Sequence, residues 1–94
     1  MNDALIDERA LSKLRWRCRR GLLENDLFIE RFFARFDTTL TVGQSLALGE
    51  LMDLSDNDLL DLHLARQSLA QIDVNLDRDD IREVLKMLRK PAER

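Results

Sequence analysis

Apolar residues recur along this chain at helical spacing, in short segments separated by polar or glycine-containing breaks. The first segment runs from about Glu8 to Arg20. Within it Leu11, Leu14 and Cys18 are three and four residues apart, which places them on one face of a helix. The basic residues of the segment lie off that stripe. The pattern therefore predicts a helix with a narrow apolar face, whose basic residues face water or a partner.

The second segment has the densest aromatic content and predicts a helix from Leu22 to about Phe36. Each residue advances a helix by about 100°, and at that spacing its apolar side chains fall within a sector of about 100°. These side chains are Leu22, Ile29, Phe32, Phe33 and Phe36, with Phe28 on the flank. A stripe at this spacing is typical of a core-facing helix, so we interpret the phenylalanines as core residues rather than as a flavin-stacking site.

A third helix is predicted from a start signal at Thr41. Thr41 and Gln44 have the spacing of a capping box, in which each side chain bonds the backbone N–H of the other residue. The helix should end near residues 52–53. Gly43 and Gly49 lie inside it, and each weakens a helix by about 1 kcal/mol relative to alanine.

Two further helices follow from similar signals. Ser55 is a favoured N-cap, and the helix it opens extends in this interpretation as far as Leu69. Residues 71–76 are predicted to be a connection. Asp77 and Asp80 then mark the start of the last helix, whose apolar residues repeat at helical spacing. The single proline of the chain ends it.

The predicted fold class is all-α, a compact single-domain bundle of about five short helices that spans residues 1–94. A chain of 94 residues forms one domain and buries a little over about 60 per cent of its unfolded surface. The composition is 45% hydrophobic and 35% charged, which is typical of a folded chain. Residues 1–7 and 91–94 are predicted to be flexible.

Composition and charge exclude several classes of function. The net charge of −3 gives no overall preference for nucleic acid, and one cysteine cannot form an internal disulfide. Apolar runs are far shorter than the ~20 residues of a membrane helix, so no membrane insertion is expected. The acidic N-terminus lacks the features of a secretory or mitochondrial leader, which predicts a cytoplasmic protein. The lone His63 has no neighbours at metal-ligand or catalytic spacing, so no catalytic or metal site is predicted.

The candidate functional stretch is Lys13–Glu24, which holds five basic residues, the only Trp and the only Cys ahead of a glycine. Gly21 is suited to a position just past a helix, because glycine adopts positive φ without a Cβ clash. Glu24 falls in the first turn of the next helix. This arrangement predicts a corner at which Arg20 and Glu24 lie close in space. Simple helix capping with solvated charges is the alternative interpretation, and the spacing alone leaves it open.

The most specific run is Trp16-x-Cys18-Arg19-Arg20-Gly21-x-x-Glu24-x-Asp26, followed by Phe32-Phe33. It resembles the succinate dehydrogenase assembly factor 2 family, the small flavinylation factors known in bacteria as SdhE or YgfY. The mark of that family is Arg-Gly-x-x-Glu between two short helices. The resemblance is specific over residues 13–36 and architectural beyond them, and residues 58–73 diverge from the family pattern.

This resemblance implies an assembly factor, not an enzyme. Such a factor binds the flavoprotein subunit of succinate dehydrogenase, and of the related fumarate reductase, and promotes covalent attachment of its FAD. The resemblance also implies that the chain acts on the FAD of its partner, binds no cofactor stably itself and is a monomer when free. The implied partner-binding residues are Arg20, Gly21, Glu24, Trp16, Arg17 and Arg19.

A nucleic-acid-binding or other protein-binding helical module is the alternative, and it would use the basic first helix. The cations concerned are Arg9, Lys13, Arg15, Arg17, Arg19 and Arg20. They are spread around the helix in an acidic chain, whereas a nucleic-acid footprint is usually a one-sided basic patch. This distribution favours the assembly factor.

Overall fold

The computed structural model describes residues 4–19 and 21–89, and these residues form helices with no β-strand. The elements are α1 Glu8–Arg17, α2 Leu23–Phe36, α3 Val42–Leu51, α4 Asp56–His63, α5 Leu69–Ile72, a 3₁₀ turn Val74–Leu76, and α6 Asp79–Arg89. The predicted all-α class is confirmed. The described residues contain six α-helices, one more than the sequence pattern predicts.

Side-chain caps set the starts of several helices. The capping box at Thr41 is confirmed: the Gln44 N–H donates to Thr41 Oγ1 at 3.1 Å, and the Thr41 N–H donates to Gln44 Oε1 at 3.0 Å. Ser55 caps α4 by accepting the Asp58 N–H at 3.2 Å. These bonds satisfy N–H groups that have no partner within their own helix.

The end of α4 differs from the prediction. The sequence pattern carries this helix to Leu69, but α4 ends at His63. Ala65 has a φ of +57°, the left-handed conformation that usually requires glycine. The Arg66 N–H donates back to the Asp61 carbonyl at 2.8 Å, which closes a Schellman motif. Because an alanine occupies the left-handed position, the sequence carries no glycine to mark this stop.

The predicted connection over residues 71–76 is wrong. A second capping box, between Ser68 and Gln71, opens α5, and the 3₁₀ turn follows it. Leu69 and Leu76 are buried at either end of this short helical segment. Two buried leucines therefore tie it to the core.

The core is centred on α6, which packs against α2, α3 and α4. Four apolar residues of α6 recur at helical spacing, and all of them are buried: Ile81, Val84, Leu85 and Leu88. The aromatic stripe of α2 is confirmed as part of this core, because Phe32 and Phe33 are buried and their rings meet edge to face. Residues 90–94, including the proline predicted to end the last helix, lie outside the described residues.

The helix α1 is joined to this core differently. No residue within α1 is buried, although Leu11 and Leu14 are partly covered, as the apolar stripe predicts. The segment before it, predicted to be a flexible arm, is hydrogen-bonded in its described part to residues 40–42. The first residue after the helix, Cys18, is fully buried. α1 is therefore attached mainly through the chain segments at its two ends.

Candidate partner-binding elbow

The candidate site is the corner between α1 and α2. We call residues 18–24 the elbow, of which Arg20 lies outside the described residues. The helix was expected to reach Arg20 but ends at Arg17, because the Cys18 and Arg19 N–H groups close its last turn on the carbonyls of Leu14 and Trp16. Four residues, 18–21, separate Arg17 from Leu22, the N-cap of α2.

Gly21 forms the corner in the conformation that the sequence predicts. Its φ is +86°, and it is exposed. A Cβ placed there would meet no atom within 4 Å, so the space in front of this backbone is open. The glycine is therefore required by backbone conformation, and the open space lets another molecule approach the backbone closely.

Glu24 is exposed in the first turn of α2, where a carboxylate is favoured by the positive end of the helix. Within residues 4–19 and 21–89, its side chain forms no hydrogen bond or ion pair. A carboxylate in this state is available to a partner. The predicted proximity of Arg20 to Glu24 concerns a residue outside the described part, and it stays a prediction.

Trp16 lies in the last turn of α1, and Arg19 lies two residues beyond that helix, within the elbow. The Trp16 side chain is 74% exposed. The guanidinium carbon of Arg19 lies 5.8 Å from the centroid of the Trp16 ring, within the range of a cation–π contact. These two side chains form one exposed surface, of the composition that protein interfaces favour.

Arg17 is exposed as well, but its guanidinium is engaged within the chain. Nη2 donates to Asp53 Oδ1 at 2.9 Å and to the Gly49 carbonyl at 3.3 Å. Among the residues assigned to the partner surface from sequence, Arg17 therefore differs from Glu24, whose carboxylate is unengaged in the described part of the chain.

Two exposed leucines next to Glu24 were missed by the sequence reasoning. Leu23 is 68% exposed and Leu27 is 42% exposed. They are one helical turn apart on α2, on the side facing away from the core stripe. A helical wheel could have predicted this exposure. Leu22 lies on the core stripe, and Leu23 is rotated by about 100° from Leu22, which places it off that stripe. We call Leu23 and Leu27 the leucine ridge.

Buried residues hold the elbow from beneath. Cys18 is fully buried, which confirms its interpretation as a small apolar residue. Asn25 is also fully buried and was missed by the sequence reasoning. Its Nδ2 donates to the carbonyl of Asp56 at 3.0 Å, which ties the first turn of α2 to the first residue of α4. The helical wheel could have found this residue, because Asn25 falls within the core sector of α2.

A groove of about 440 Å³ runs beside the elbow between α1 and α2. Arg15 and Arg19 lie on its α1 side, and Asp26 and Glu30 lie on its α2 side. Arg15 pairs with Asp37 at 3.1 Å. The groove is thus lined by charges of both signs.

Two other observations bear on the chemistry of the chain. His63 is buried, and its ring is stacked parallel to that of Phe28 with the centroids 4.5 Å apart. In the described residues, no three His, Cys, Asp or Glu side chains are grouped so that they could hold a metal ion. No helix in the same residues is long and apolar enough to cross a membrane.

Comparison with known proteins places this chain in a family. Residues 12–92, which include the whole elbow, match the family described as "Flavinator of succinate dehydrogenase". The chain belongs to this flavinator family. The resemblance seen in the Arg20-Gly21-x-x-Glu24 run is therefore confirmed at the level of the family.

Curated relatives of the chain carry names from the flavinator family. This chain is 48% identical over 83 residues to the FAD assembly factor SdhE of Ralstonia nicotianae, and the match covers 88% of this chain and 84% of that protein. It is 39% identical over 61 residues to the FAD assembly factor SdhE of Coxiella burnetii, covering 65% of this chain and 70% of that one. The protein of the same name from Legionella pneumophila is 41% identical over 54 residues, or 57% of this chain and 68% of its own length. No solved structure gives a significant match.

Proposed function

We propose that this chain is a flavinylation assembly factor that binds the flavoprotein subunit of succinate dehydrogenase through its elbow and promotes covalent attachment of FAD to that subunit. Membership of the flavinator family and the names of its relatives support the function. The observation that carries the assignment to the elbow is the exposed Glu24 carboxylate, unengaged in the described residues, beside the open backbone of Gly21.

The surroundings of Glu24 supply the rest of a docking surface. The leucine ridge and Trp16 offer exposed apolar area, which binding would remove from water. Arg19 offers a positive charge beside the Trp16 ring. Charged hydrogen bonds to a partner strengthen once the apolar rim excludes water from them. We assign Trp16, Arg19, Arg20, Gly21 and Glu24 to the partner surface, and we add Leu23 and Leu27. Arg17 borders this surface, with its guanidinium bound to the end of α3.

The chain would act through binding, with no catalytic group of its own. A factor changes the conformational equilibrium of its partner only by binding one conformation more tightly than the other. We propose that the elbow binds the conformation of the flavoprotein subunit in which the flavin and its attachment site are correctly placed. The chemistry of the attachment then belongs to the flavoprotein and its FAD.

Several finer assignments are part of the same proposal. They are fumarate reductase as a second partner, the lack of a stably bound cofactor, a cytoplasmic location and a monomeric free chain. The nucleic-acid alternative gains no support from the described cations, because Arg15 and Arg17 are paired with carboxylates at 3.1 and 2.9 Å. Cations already paired within the chain are poorer ligands for phosphate.

The test is covalent flavinylation of the purified flavoprotein subunit with Glu24→Ala, measured by flavin fluorescence in a denaturing gel. We expect the rate to fall about tenfold or more, because removing one partner of a buried charged pair at an interface costs about 2 kcal/mol or more. Glu8→Ala is the matched control. Glu8 is also an exposed carboxylate in the first turn of a helix, but it lies at the end of α1 that is farther along the chain from the elbow. Wild-type flavinylation with Glu24→Ala would remove the elbow from the function.

A further inference from the structure

The guanidinium of Arg17 joins the end of α1 to the end of α3. Arg17 is the last residue of α1, and both of its acceptors lie at the C-terminus of α3 or just beyond it. Nη2 lies 2.9 Å from Asp53 Oδ1 and 3.3 Å from the Gly49 carbonyl oxygen. We call these three residues the clasp.

The Gly49 carbonyl is free to accept this bond because of where α3 ends. The last carbonyls of a helix have no N–H donor four residues ahead. The Asp53 N–H, which would continue the helical pattern to Gly49, bonds the Glu50 carbonyl instead at 3.2 Å. Arg17 supplies the missing donor, and its positive charge is favoured at the negative end of the helix.

Gly49 also makes room for the guanidinium. A Cβ built at this position would lie 3.0 Å from Arg17 Nη1. Glycine inside a helix costs about 1 kcal/mol relative to alanine, so its presence in α3 calls for a reason. The close approach of the Arg17 guanidinium to the α3 backbone provides one.

The clasp lies next to the elbow and can therefore affect the orientation of the elbow. α1 buries no residue within its bounds, and its end is held by the buried Cys18, by the Arg15–Asp37 pair and by the clasp. Arg17 lies between Trp16 and the elbow, so the clasp acts at the point where the partner surface begins. Arg17 is 55% exposed and Asp53 is 72% exposed, and an ion pair this exposed adds little to the stability of the fold.

We infer that Arg17 is a positioning residue, which holds the elbow and Trp16 in the orientation that the flavoprotein subunit binds. The inference rests on the proposed function. The clasp places the surface before the partner arrives, so that less conformational freedom is lost on binding. Its removal therefore weakens docking without unfolding the chain.

The decisive variant is Asp53→Ala, because it removes the charged acceptor of the clasp and leaves every residue of the elbow in place. Gly49→Ala is a weaker test, because its methyl would lie 3.0 Å from Arg17 Nη1 and the end of that side chain can move by a few tenths of an ångström. We expect the unfolding midpoint of Asp53→Ala to stay nearly the same, since the ion pair is exposed, whereas affinity for the purified flavoprotein subunit, measured by calorimetry, falls about fivefold. Arg17→Ala should lower the affinity by a similar factor, and the double variant should lose no more than either single one.

Arg82→Ala is the matched control, because it breaks another exposed arginine–aspartate pair, 3.2 Å long, within α6. It should leave affinity unchanged. Wild-type affinity with Asp53→Ala, or additive losses in the double variant of Arg17→Ala and Asp53→Ala, would overturn the positioning role and leave Arg17 as a direct contact or a bystander. Glu24→Ala in the same assay separates the two proposals: if it too binds as wild type, docking through the elbow is itself wrong.

Discussion

The helices α1 and α6 are nearly equal in length but are held to the molecule in different ways. Four residues of α6 are buried against three other helices, whereas α1 has none buried within its bounds. The contacts of α6 are apolar and contribute directly to folding. In α1, Leu11 and Leu14 are only partly covered, and Arg15 and Arg17 near its end form exposed ion pairs. The buried Cys18 follows the helix, and Trp16 and Gly21 stay exposed. The comparison shows that the residues we propose for partner binding lie apart from those that form the core.

The largest effect should come from shortening a side chain of α6. Leu88 is fully buried, so Leu88→Ala should lower the free energy of unfolding by about 2–5 kcal/mol through lost burial and the cavity left behind. Leu14→Ala in α1, where the leucine is only partly covered, should cost about 1 kcal/mol. Urea unfolding of both variants checks this difference. Equal losses would show that α1 is as much a part of the core as α6.

The reverse pattern is expected at the leucine ridge. Replacing both Leu23 and Leu27 by serine should lower affinity for the flavoprotein subunit about tenfold, because two exposed apolar side chains no longer leave water on binding. Stability to urea should change by less than about 0.5 kcal/mol, as for other surface substitutions. Leu46→Ser on α3, where the leucine is also exposed, is the control and should bind normally. A ridge variant with unchanged affinity would place the apolar contact elsewhere.

The smallest effect should be a gain at the end of α4. Ala65→Gly relieves the left-handed conformation of an alanine, which should raise the free energy of unfolding by about 1 kcal/mol. Flavinylation should be unaffected, since Ala65 belongs to neither the elbow nor the clasp. Thermal unfolding measures the gain. A lower unfolding temperature would mean that the lost side chain mattered more than the strain.

The sequence predicts the parts of this molecule that depend on local rules. Helical spacing identified the stripe of α2, capping signals placed the starts of α3 and α4, and the conformation of Gly21 follows from its place after a helix. The end of α4 was missed because Ala65 closes a motif that glycine normally marks. The clasp was missed because it joins residues 32 and 36 positions apart, and no local pattern pairs Arg17 with Gly49 or Asp53.

For the candidate site as well, local sequence patterns could be recognised, whereas long-range contacts could not. Motif residues on either side of the glycine could be found in order along the chain. Which of them are engaged within the fold is a tertiary property: Glu24 has no partner in the described residues, whereas Arg17 has two. Asn25 falls in the core sector of the helical wheel, but its hydrogen bond to the Asp56 carbonyl depends on how α4 packs against α2 and has no local signal.

The positive φ of Gly21 limits what can be concluded from ordinary substitutions at this position. Every genetically encoded replacement adds a side chain and, because φ is positive, also strains the backbone. The added side chain and the backbone strain always come together, so a variant that loses binding does not show which of the two caused the loss. A D-alanine, introduced by chemical synthesis of the chain, tolerates this φ and still places a methyl group at the corner. A D-alanine at position 21 therefore tests whether the site requires the absence of a side chain or only the positive φ.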